Sequence, residues 1–397
     1  MKTVVVRTPR LRSEVQMSRF DALTDRLNTR SYKWDVAEGE LPMWVADMDF
    51  EVPEPIKKAV VKIAEHGIYG YSSLPDEYFD AVAAYHNRRH NSGFLTEDMI
   101  YSNGIVAAIS SMVRRLTNVR DNVLILAPVY NIFYNSIINN GRVVLSSDLV
   151  YDGVGYSIDF KDLEEKMARP ETTLLIFCNP HNPTGNIWSK EELSRIGELA
   201  KKYSVTVISD EIHCDITRHG CDYTPFYSVS DTCREVSITA VAASKTFNCA
   251  GLQSATLVIR DPNLRYSVWR GLNNDEVGEP NIFAVAANVA AFTECDDWVD
   301  EMREYVFMNR DIAERELRAM GLNPVKADAT YLLWVDISSV SNDSVAFTDA
   351  LRRATGLYVS EGREYGDCGK SFIRINLATQ RSRVLDGLSR LRSFLGK

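Results

Sequence analysis

The 397-residue sequence lacks two features that would define large classes of protein. No apolar run approaches the roughly 20 residues that a membrane-spanning helix requires. Basic residues are not in excess, since 54 acidic side chains outnumber 45 lysines and arginines and leave a net charge of -9. Nucleic-acid binding requires clustered positive charge. We therefore expect no membrane and no nucleic-acid partner, and we interpret the pairs Arg88-Arg89 and Arg352-Arg353 as solvated helix faces.

Cysteine and histidine patterns typical of disulfide or metal sites are also missing. The seven cysteines are odd in number, scattered, and never spaced as Cys-x-x-Cys, so free thiols in a reducing cytoplasm are expected. His86 and His90 are four residues apart, but Asn87 stands where the metal-binding zincin motif has a glutamate. We interpret the two histidines as a solvated pair on a helix and expect no metal site.

The N-terminal residues 1–16 are basic and polar and fit no element of secondary structure. Their apolar part is too short for a signal peptide, which agrees with a cytoplasmic location. Two interpretations stay open: the protein starts at Met17, or residues 1–16 are an N-terminal extension.

What the sequence does contain is the composition of a globular enzyme, with 45% hydrophobic and 25% charged residues. Strand-like apolar runs alternate with helical patterns, which predicts an α/β fold with a mostly parallel sheet and right-handed crossovers. Helices are predicted at residues 56–66 and 78–89, and after a capping box formed by Ser189 and Glu192. The predicted strands cover residues 123–127, 174–178, 205–209, 236–241 and 255–259.

The chain changes character near residue 285. A long helical region at 284–318 precedes two strand-like runs at 331–336 and 372–377 and a last helix near 382–395. We predict a large domain of residues 51–284 and a smaller α+β domain of residues 285–397, to which an N-terminal arm, residues 1–50, contributes. Prolines within residues 34–55 indicate an extended arm that lies across another surface.

Three polar side chains follow three predicted strands. Lys245 comes after the strand at 236–241, Asn182 after the strand at 174–178, and Asp210 ends the strand at 205–209. Open α/β sheets bind their ligands at this edge. A lysine in a dry turn has a lowered pKa, and its neutral amine can attack an aldehyde. An isolated lysine is more often exposed in a loop, but the two upstream groups favour a site.

Other residues have both a functional and a structural interpretation. Gly104 precedes a helix and leaves backbone N–H groups free for an anion, although many helices begin so. Tyr130 follows a strand end and is either a lid for a flat ring or a core tyrosine. Asp210 is either a helix cap or a ligand group. Arg374 lies in an apolar strand, which requires an anion: either a structural carboxylate or a substrate.

Five stretches, taken together and in order, carry a family resemblance over nearly the whole chain from Met17. They are Lys33-Trp34-Asp35, LPMWVADMDF at 41–50, CNPHNPTG at 178–185, SDEIH at 209–213 and FIRIN at 372–376. The chain resembles the class I/II aminotransferases, which use pyridoxal 5′-phosphate (PLP), and within them the cystathionine β-lyase-type C–S lyase subgroup. The resemblance implies the aspartate aminotransferase-like PLP-dependent transferase fold, a large domain with a mostly parallel sheet plus a smaller α+β domain.

The resemblance also implies roles for residues at the matching positions. Lys245 would hold PLP as a Schiff base and later remove the substrate α-proton. Asp210 would keep the pyridine nitrogen protonated, so that the ring acts as an electron sink. Asn182 would contact the phenolic oxygen, and Tyr130 would stack on the ring. Lys245, Asp210 and Tyr130 form the expected catalytic set.

The remaining implied contacts concern the phosphate and the substrate. The phosphate would be bound by Gly104, Ile105, Val106, Ser244 and Tyr71, with Tyr71 reaching the cofactor of the neighbouring subunit in a homodimer with shared sites. The α-carboxylate of a small amino-acid substrate would be gripped by the fork of Arg374. Val45, Ala46 and Asn182 would line the substrate pocket.

Two departures from the broad family pattern bear on activity. Gln253 stands eight residues after Lys245, where many aminotransferases have a phosphate-binding arginine. His213 stands where many relatives have a tyrosine that contacts the phenolic oxygen, and it joins the expected cofactor contacts. Both departures favour the lyase subgroup.

The sequence therefore predicts β-elimination from L-cystathionine, L-cysteine or related S-conjugates, to give a thiol, pyruvate and ammonia. An aminotransferase, which uses the same lysine, ring and carboxylate clamp, is the alternative. A regulatory binding protein on the same fold is a third hypothesis, but the retained Lys245, Asp210, Asn182 and Arg374 argue against it.

Overall fold

The computed structural model describes residues 18–397, so the predictions for residues 1–16 and for Met17 as a start lie outside the described residues. Within that range the helices are α1 (Glu54–His66), α2 (Asp76–His90), α3 (Ile105–Leu116), α4 (Asn131–Ile138), α5 (Phe160–Met167), α6 (Lys190–Tyr203), α7 (Phe226–Val229), α8 (Asp231–Val236), α9 (Ala243–Thr246), α10 (Pro262–Asn274), α11 (Ile282–Glu294), α12 (Asp296–Ala319), α13 (Ser344–Thr355) and α14 (Arg381–Leu395). The strands are β1 (Leu41–Pro42), β2 (Met99–Ser102), β3 (Asn122–Ile125), β4 (Val143–Ser146), β5 (Val150–Tyr151), β6 (Tyr156–Ser157), β7 (Thr172–Cys178), β8 (Thr206–Asp210), β9 (Ser237–Val241), β10 (Ala255–Val258), β11 (Asn323–Pro324), β12 (Leu332–Asp336), β13 (Leu357–Tyr358), β14 (Ser360–Glu361) and β15 (Phe372–Asn376).

A seven-stranded sheet forms the centre of the molecule, in the order β2-β10-β9-β8-β7-β3-β4. Strand β10 is antiparallel to both of its neighbours, and the other pairings are parallel, which confirms the predicted α/β class. Cys178 pairs with Asp210, and Asp210 pairs with Ala240 in the next strand. The carboxyl ends of β7, β8 and β9 therefore lie side by side, which brings the segments that follow them to one edge.

Alternate residues of each central strand face opposite layers of helices. Val123 and Ile125 of β3 pack in a buried cluster with α3, α4 and α10, whereas Leu124 packs in a second cluster with α5, α6 and α8. Burial on both faces explains why these strands appear in the sequence as continuous apolar runs. Among the described residues, no helix has the length and apolar character needed to cross a membrane.

The helical region predicted at 284–318 consists of two helices that break at Cys295. Cys295 has φ -120° and ψ 17°, and helix α12 begins at the next residue with Asp296 and Asp297 in its first turn. Acidic side chains are favourable at a helix N-terminus because the helix dipole is positive there. The predicted capping box of Ser189 and Glu192 is confirmed at the start of α6.

The predicted arm, residues 34–55, contains no helix before α1 begins at Glu54, and it packs on strands from the far end of the chain. Strand β1 pairs in parallel with β13, and a four-stranded antiparallel sheet in the order β11-β12-β15-β14 lies beside it. The Asn376 amide of β15 donates to the carbonyls of Val45 and Asp47, at 2.5 and 2.6 Å. The arm thus uses its own backbone carbonyls to bind a strand more than 300 residues away.

Two of the predicted solvated helix faces are corrected by the structure. His86 on α2 is buried, with a relative exposure of 1%, and burial lowers its pKa to about 3. Arg89 is largely buried and pairs with Asp300 and Asp215, while Arg88 remains half-exposed. Helix α2 packs against α11, and this contact buries one face of α2. The sequence of α2 is polar and does not show which face is buried.

The buried carboxylate of Asp49 bonds to other residues of the N-terminal arm. Asp49 accepts hydrogen bonds from Lys33 Nζ at 2.9 Å, Trp34 Nε1 at 2.8 Å and Arg26 Nη1 at 2.8 Å. Burial alone would raise its pKa, but the charge of Lys33 and the hydrogen bonds from Trp34 and Lys33 together lower the pKa of Asp49 to about 2. The stretch Lys33-Trp34 is therefore part of an ion-pair cluster that holds the arm.

We expect Asp49→Asn to destabilise the protein by about 3–5 kcal/mol at neutral pH, because it removes the closer of the two carboxylates that pair with the buried Lys33 and leaves only Asp47, at 3.7 Å. Because the pKa of Asp49 is lowered, its contribution is complete above the unfolded value near pH 4 and is lost as the pH falls through about 2. Urea denaturation between pH 7 and pH 2.5 measures both effects. Asp35→Asn, the same change at an exposed neighbour, is the control. Equal stability of the two variants at pH 7 would contradict the assignment.

Candidate active site

A cavity of about 440 Å³ opens where the carboxyl ends of β7, β8 and β9 approach the N-terminus of α3. Volumes of this size are typical of sites for small ligands. The cavity brings together most of the residues predicted from the sequence. Those that line it are Ala46, Gly104, Ile105, Val106, Tyr130, Asn182, Asp210, His213, Ser244 and Lys245.

Lys245 lies in the short helix α9, directly after the buried strand β9, rather than in the predicted turn. Its Nζ donates to the carbonyl oxygen of Ala46 at 2.5 Å. Burial, together with the charge of Arg374 and against the opposing charges of Asp47 and Asp210, lowers the pKa of Lys245 to about 8. A substantial fraction of this amine is therefore neutral, and so nucleophilic, near pH 8.

Asp210 is the last residue of β8 and is buried. Its Oδ1 accepts from the backbone N–H of Ile212 at 3.2 Å. Burial raises the pKa of Asp210 to about 7, against the lowering effects of that hydrogen bond and of Lys245. No helix begins at this residue, since the next one starts at Phe226, so the helix-cap interpretation is wrong. The carboxyl group is instead part of the cavity lining.

Arg374 and Asn182 form the wall of the site on the side of β15. Arg374 Nη1 donates to Asn182 Oδ1 at 3.1 Å, and Nη2 donates to the Trp44 carbonyl at 2.9 Å. The guanidinium also lies 4.7 Å from the centre of the Tyr365 ring. Within residues 18–397 no carboxylate pairs with Arg374, and its buried Nε has no partner. A structural salt bridge within the described residues therefore does not explain this cation.

The start of helix α3 forms one wall of the cavity. Gly104 caps α3 with φ 95° and ψ 155°, a conformation that side chains rarely adopt, and no side chain caps the first turn. The N–H groups of Ile105 and Val106 are thus available to an anion. Ser244 lines the cavity beside them, and Gln253 occupies the left-handed region at φ 48°.

Tyr130 and His213 provide aromatic rings at the cavity. Tyr130 precedes α4, lines the cavity and is only partly buried, which argues against a plain core tyrosine. His213 is buried, and its Nδ1 has no partner in the described part of the chain. Burial, followed by the charges of Lys245 and Arg374, lowers the pKa of His213 to about 3, so its ring is neutral.

Several residues at this site were missed by the sequence reasoning. Tyr331 donates to the Ala46 carbonyl at 3.0 Å, and its ring packs edge-on against His213 with centres 6.0 Å apart. Ser110 and Ser254 also line the cavity. A tyrosine at the start of the predicted strand 331–336 was a signal for Tyr331, whereas nothing local marks the two serines.

Three predicted residues do not line the cavity of their own chain, and one of them, Arg374, is connected to it through Asn182. The Tyr71 side chain is fully exposed and lines a separate groove with residues of α1 and α11. Val45 contributes its carbonyl to Asn376 and neighbours Ala46, which does line the cavity. The structure of one chain therefore brings Tyr71 to a surface rather than to the site.

Comparison with known proteins adds an independent line of observation. The family model for aminotransferase class I and II matches residues 41–391. The chain is 39% identical over 385 residues to cystathionine beta-lyase PatB of Bacillus subtilis, with 95% of this chain and 99% of that protein covered.

Two solved structures extend the likeness to three dimensions. Cystalysin from Treponema denticola, which contains a pyridoxal 5′-phosphate cofactor, superposes with a TM-score of 0.91 at 30% identity, covering 95% of this chain and 98% of that one. A PLP-bound C–S lyase from Staphylococcus hominis gives a TM-score of 0.88 at 31% identity, covering 95% and 99%.

We expect Lys245 to be labelled by a small aldehyde plus borohydride with a midpoint near pH 8, about two units below an ordinary lysine. Asp210→Asn should move this midpoint to lower pH, because Asp210 favours the charged amine. Peptide mapping of protein freed of small molecules measures the labelling at each pH, with the exposed Lys58 as internal reference. A midpoint near pH 10 at Lys245 would show that the site is not dry.

Proposed function

The chain belongs to the aminotransferase class I and II family, and from that premise we propose that it is a PLP-dependent carbon–sulfur lyase. Its reaction is β-elimination from L-cystathionine, L-cysteine or a related S-conjugate. One observation carries the proposal: a nucleophilic lysine and a buried acid line one cavity, and an arginine without a carboxylate partner is bonded to Asn182 in the wall of that cavity, in a chain 39% identical to a cystathionine β-lyase.

The residues of the cavity fit PLP, which is an aromatic aldehyde with a phosphate and a pyridine nitrogen. The uncapped start of α3 and the Ser244 hydroxyl suit the phosphate. Asp210, with a single hydrogen bond from a backbone N–H, suits a protonated ring nitrogen. The unpartnered His213 Nδ1 is a polar atom that a ligand can satisfy. Lys245 supplies the amine that reacts with the aldehyde.

Each protein group then has a task in the reaction. PLP, when bound, supplies an electron sink for the charge that develops on the substrate α-carbon. Lys245, neutral in about half of the molecules near pH 8, accepts the proton from that carbon. Arg374, already oriented by Asn182 and Trp44, binds the α-carboxylate and fixes the substrate. A cationic ring nitrogen beside Asp210 lowers the pKa of that acid, which keeps its negative charge opposite the ring.

The overall reaction with L-cystathionine consumes one water. The bond between the β-carbon and sulfur breaks, and the thiol leaves as homocysteine after it takes up a proton. The three-carbon remainder is hydrolysed to pyruvate and ammonia. We propose that Lys245, which carries the α-proton after it is removed, gives that proton to the leaving sulfur.

An aminotransferase remains the second candidate, because the lysine, the acid and the arginine serve that reaction equally well. The likeness to C–S lyases over 95% of the chain favours elimination. The division into domains 1–50, 51–284 and 285–397, and the cytoplasmic location, stay part of this proposal. The seven free cysteines support that location.

Incubation of the pure protein with L-cystathionine alone should release pyruvate and homocysteine in equal amounts, with no keto acid required. Coupled reduction of pyruvate by lactate dehydrogenase and a thiol reagent measure the two products. Lys245→Ala, which removes the proton acceptor, should lose more than about 100-fold of the rate. Turnover that appears only after a keto acid is added would identify an aminotransferase instead.

We also propose that the active unit is a homodimer in which Tyr71 reaches the phosphate of the partner's site. Full exposure of Tyr71 in the single chain supports this, as does its groove beside α1 and α11. A phenol there would donate a hydrogen bond to the phosphate. Its contribution would be greater than in relatives with an arginine at the position of Gln253, because Gln253 carries no charge.

Mixing Tyr71→Ala with Lys245→Ala, both inactive alone, should restore activity. After random exchange, half of the dimers are hybrids with one intact site in two, so about a quarter of the wild-type activity is expected. The matched control mixes Asp210→Ala with Lys245→Ala, whose residues line one cavity of the same chain, and no recovery is expected. If subunits exchange, as shown by tagged chains, and the first mixture stays inactive, Tyr71 serves its own chain.

A further inference from the structure

A cluster of two histidines and one cysteine lies outside the active site. His86 and His90 are one turn apart on α2, and Cys214 follows strand β8. One ligand atom from each side chain lies within 4.8 Å of the other two. In a triangle with sides of at most 4.8 Å, one point lies within about 2.8 Å of all three corners. Each ligand atom therefore needs to move by less than about 1 Å to reach the 2.0–2.3 Å of zinc bonds.

The state of His86 points to a missing ligand. Its side chain is 1% exposed, and both ring nitrogens are buried without a hydrogen-bond partner among residues 18–397. Buried polar atoms in proteins are almost always bonded, and a neutral imidazole has both a donor and an acceptor to satisfy. Aromatic neighbours such as Phe94 and Phe292 offer it no hydrogen bond. A metal ion would bind one nitrogen directly and remove half of this deficit.

The charge around the cluster suits a divalent cation. Asp215 accepts from His90 Nε2 at 2.8 Å, and its other oxygen lies 3.7 Å from Cys214 Sγ, so a carboxylate borders two of the three ligands. The nearby cation Arg89 is already compensated by Asp215 at 3.5 Å, by Asp296 at 3.7 Å and by Asp300 at 2.7 Å. His90 also lines a surface cavity of about 520 Å³, so one of the three ligands borders a surface opening.

We propose that His86, His90 and Cys214 form a structural site for a divalent metal ion, with zinc as the preferred occupant. Two imidazoles and a thiolate are ligands that Zn²⁺ binds well, and hard cations such as Mg²⁺ and Ca²⁺ bind them poorly. The thiol proton of Cys214 is released to solvent on binding. The spacing of His86 and His90 in the sequence instead predicts a solvated histidine pair without a metal.

A metal ion at this site would hold separate segments of the chain together. Asp215 also accepts from the hydroxyl of Thr246 at 2.8 Å, and Thr246 directly follows Lys245. A bound ion would therefore join α2 to the segment after β8 and, through Asp215, to the short helix α9. Its effect would be on stability and on the placement of α9, with no part in bond breaking.

The test uses the PLP-loaded protein, dialysed against Zn²⁺ or Co²⁺ and then freed of unbound metal. We expect about one ion per chain by elemental analysis. The cobalt form, measured as a difference against metal-free protein, should show the near-ultraviolet charge-transfer band of a thiolate ligand. Cys214→Ala should abolish that band and weaken metal binding by more than about tenfold. His86→Phe should weaken binding similarly while keeping the aromatic packing.

Cys233→Ala is the matched control, because Cys233 is equally buried but lies on α8, away from the histidines. It should retain both the metal and the cobalt band. If His86→Phe fails to fold, Cys214→Ala carries the test, since both the band and the metal content depend on it. Less than 0.1 ion per chain, or a cobalt spectrum unchanged by Cys214→Ala, would overturn the proposal. Both readouts are independent of lyase activity.

Discussion

The active site depends on four consecutive backbone carbonyls at residues 44–47. Trp44 accepts from Arg374, Val45 and Asp47 accept from Asn376, and Ala46 accepts from Lys245 and Tyr331. The donors come from three separate parts of the chain, namely strand β15, Lys245 and Tyr331. Because this arm is extended, its carbonyls point outward in turn instead of being used within a helix. The ion pairs of Asp49 fix the arm, and the arm in turn fixes the distance between the lysine and the arginine.

Electrostatics in the cavity are arranged for a ligand that carries charges of both signs. Lys245 and Arg374 are cations whose direct partners are neutral carbonyls and an amide, while Asp210 is an acid whose pKa is raised to about 7 by burial. Each of these groups is destabilised when no ligand is bound, because burial disfavours its charged form. A ligand with a cationic ring nitrogen and two anionic groups relieves all three. Preorganisation of this kind lowers the stability of the unliganded fold. The lost free energy is recovered when the ligand binds.

The sequence predicted the elements and much of the site, because both leave local signals. Apolar runs marked the central strands, and the register of those strands explains why residues after three of them share one cavity. Tyr331 was missed because its importance lies in a hydrogen bond to Ala46, 285 residues away. His86 was assigned to solvent because α2 is rich in polar residues, and only the packing of α11 shows which of them are covered. Burial of single polar side chains is a tertiary property that a local pattern does not contain.

The pairing of β1 with β13 joins residues 41–42 to residues 357–358, nearly the two ends of the chain. During synthesis the arm leaves the ribosome first, whereas its partner strands are made last. Met43 is an apolar arm residue that packs in a cluster with residues 313–391. Such residues therefore stay exposed to water until translation is almost complete. Such delayed, long-range pairing is slow and leaves the nascent chain open to aggregation. Arg374 and Asn376, which bind the carbonyls of residues 44, 45 and 47, are also among the last residues made, so these contacts of the site form only when synthesis is nearly complete.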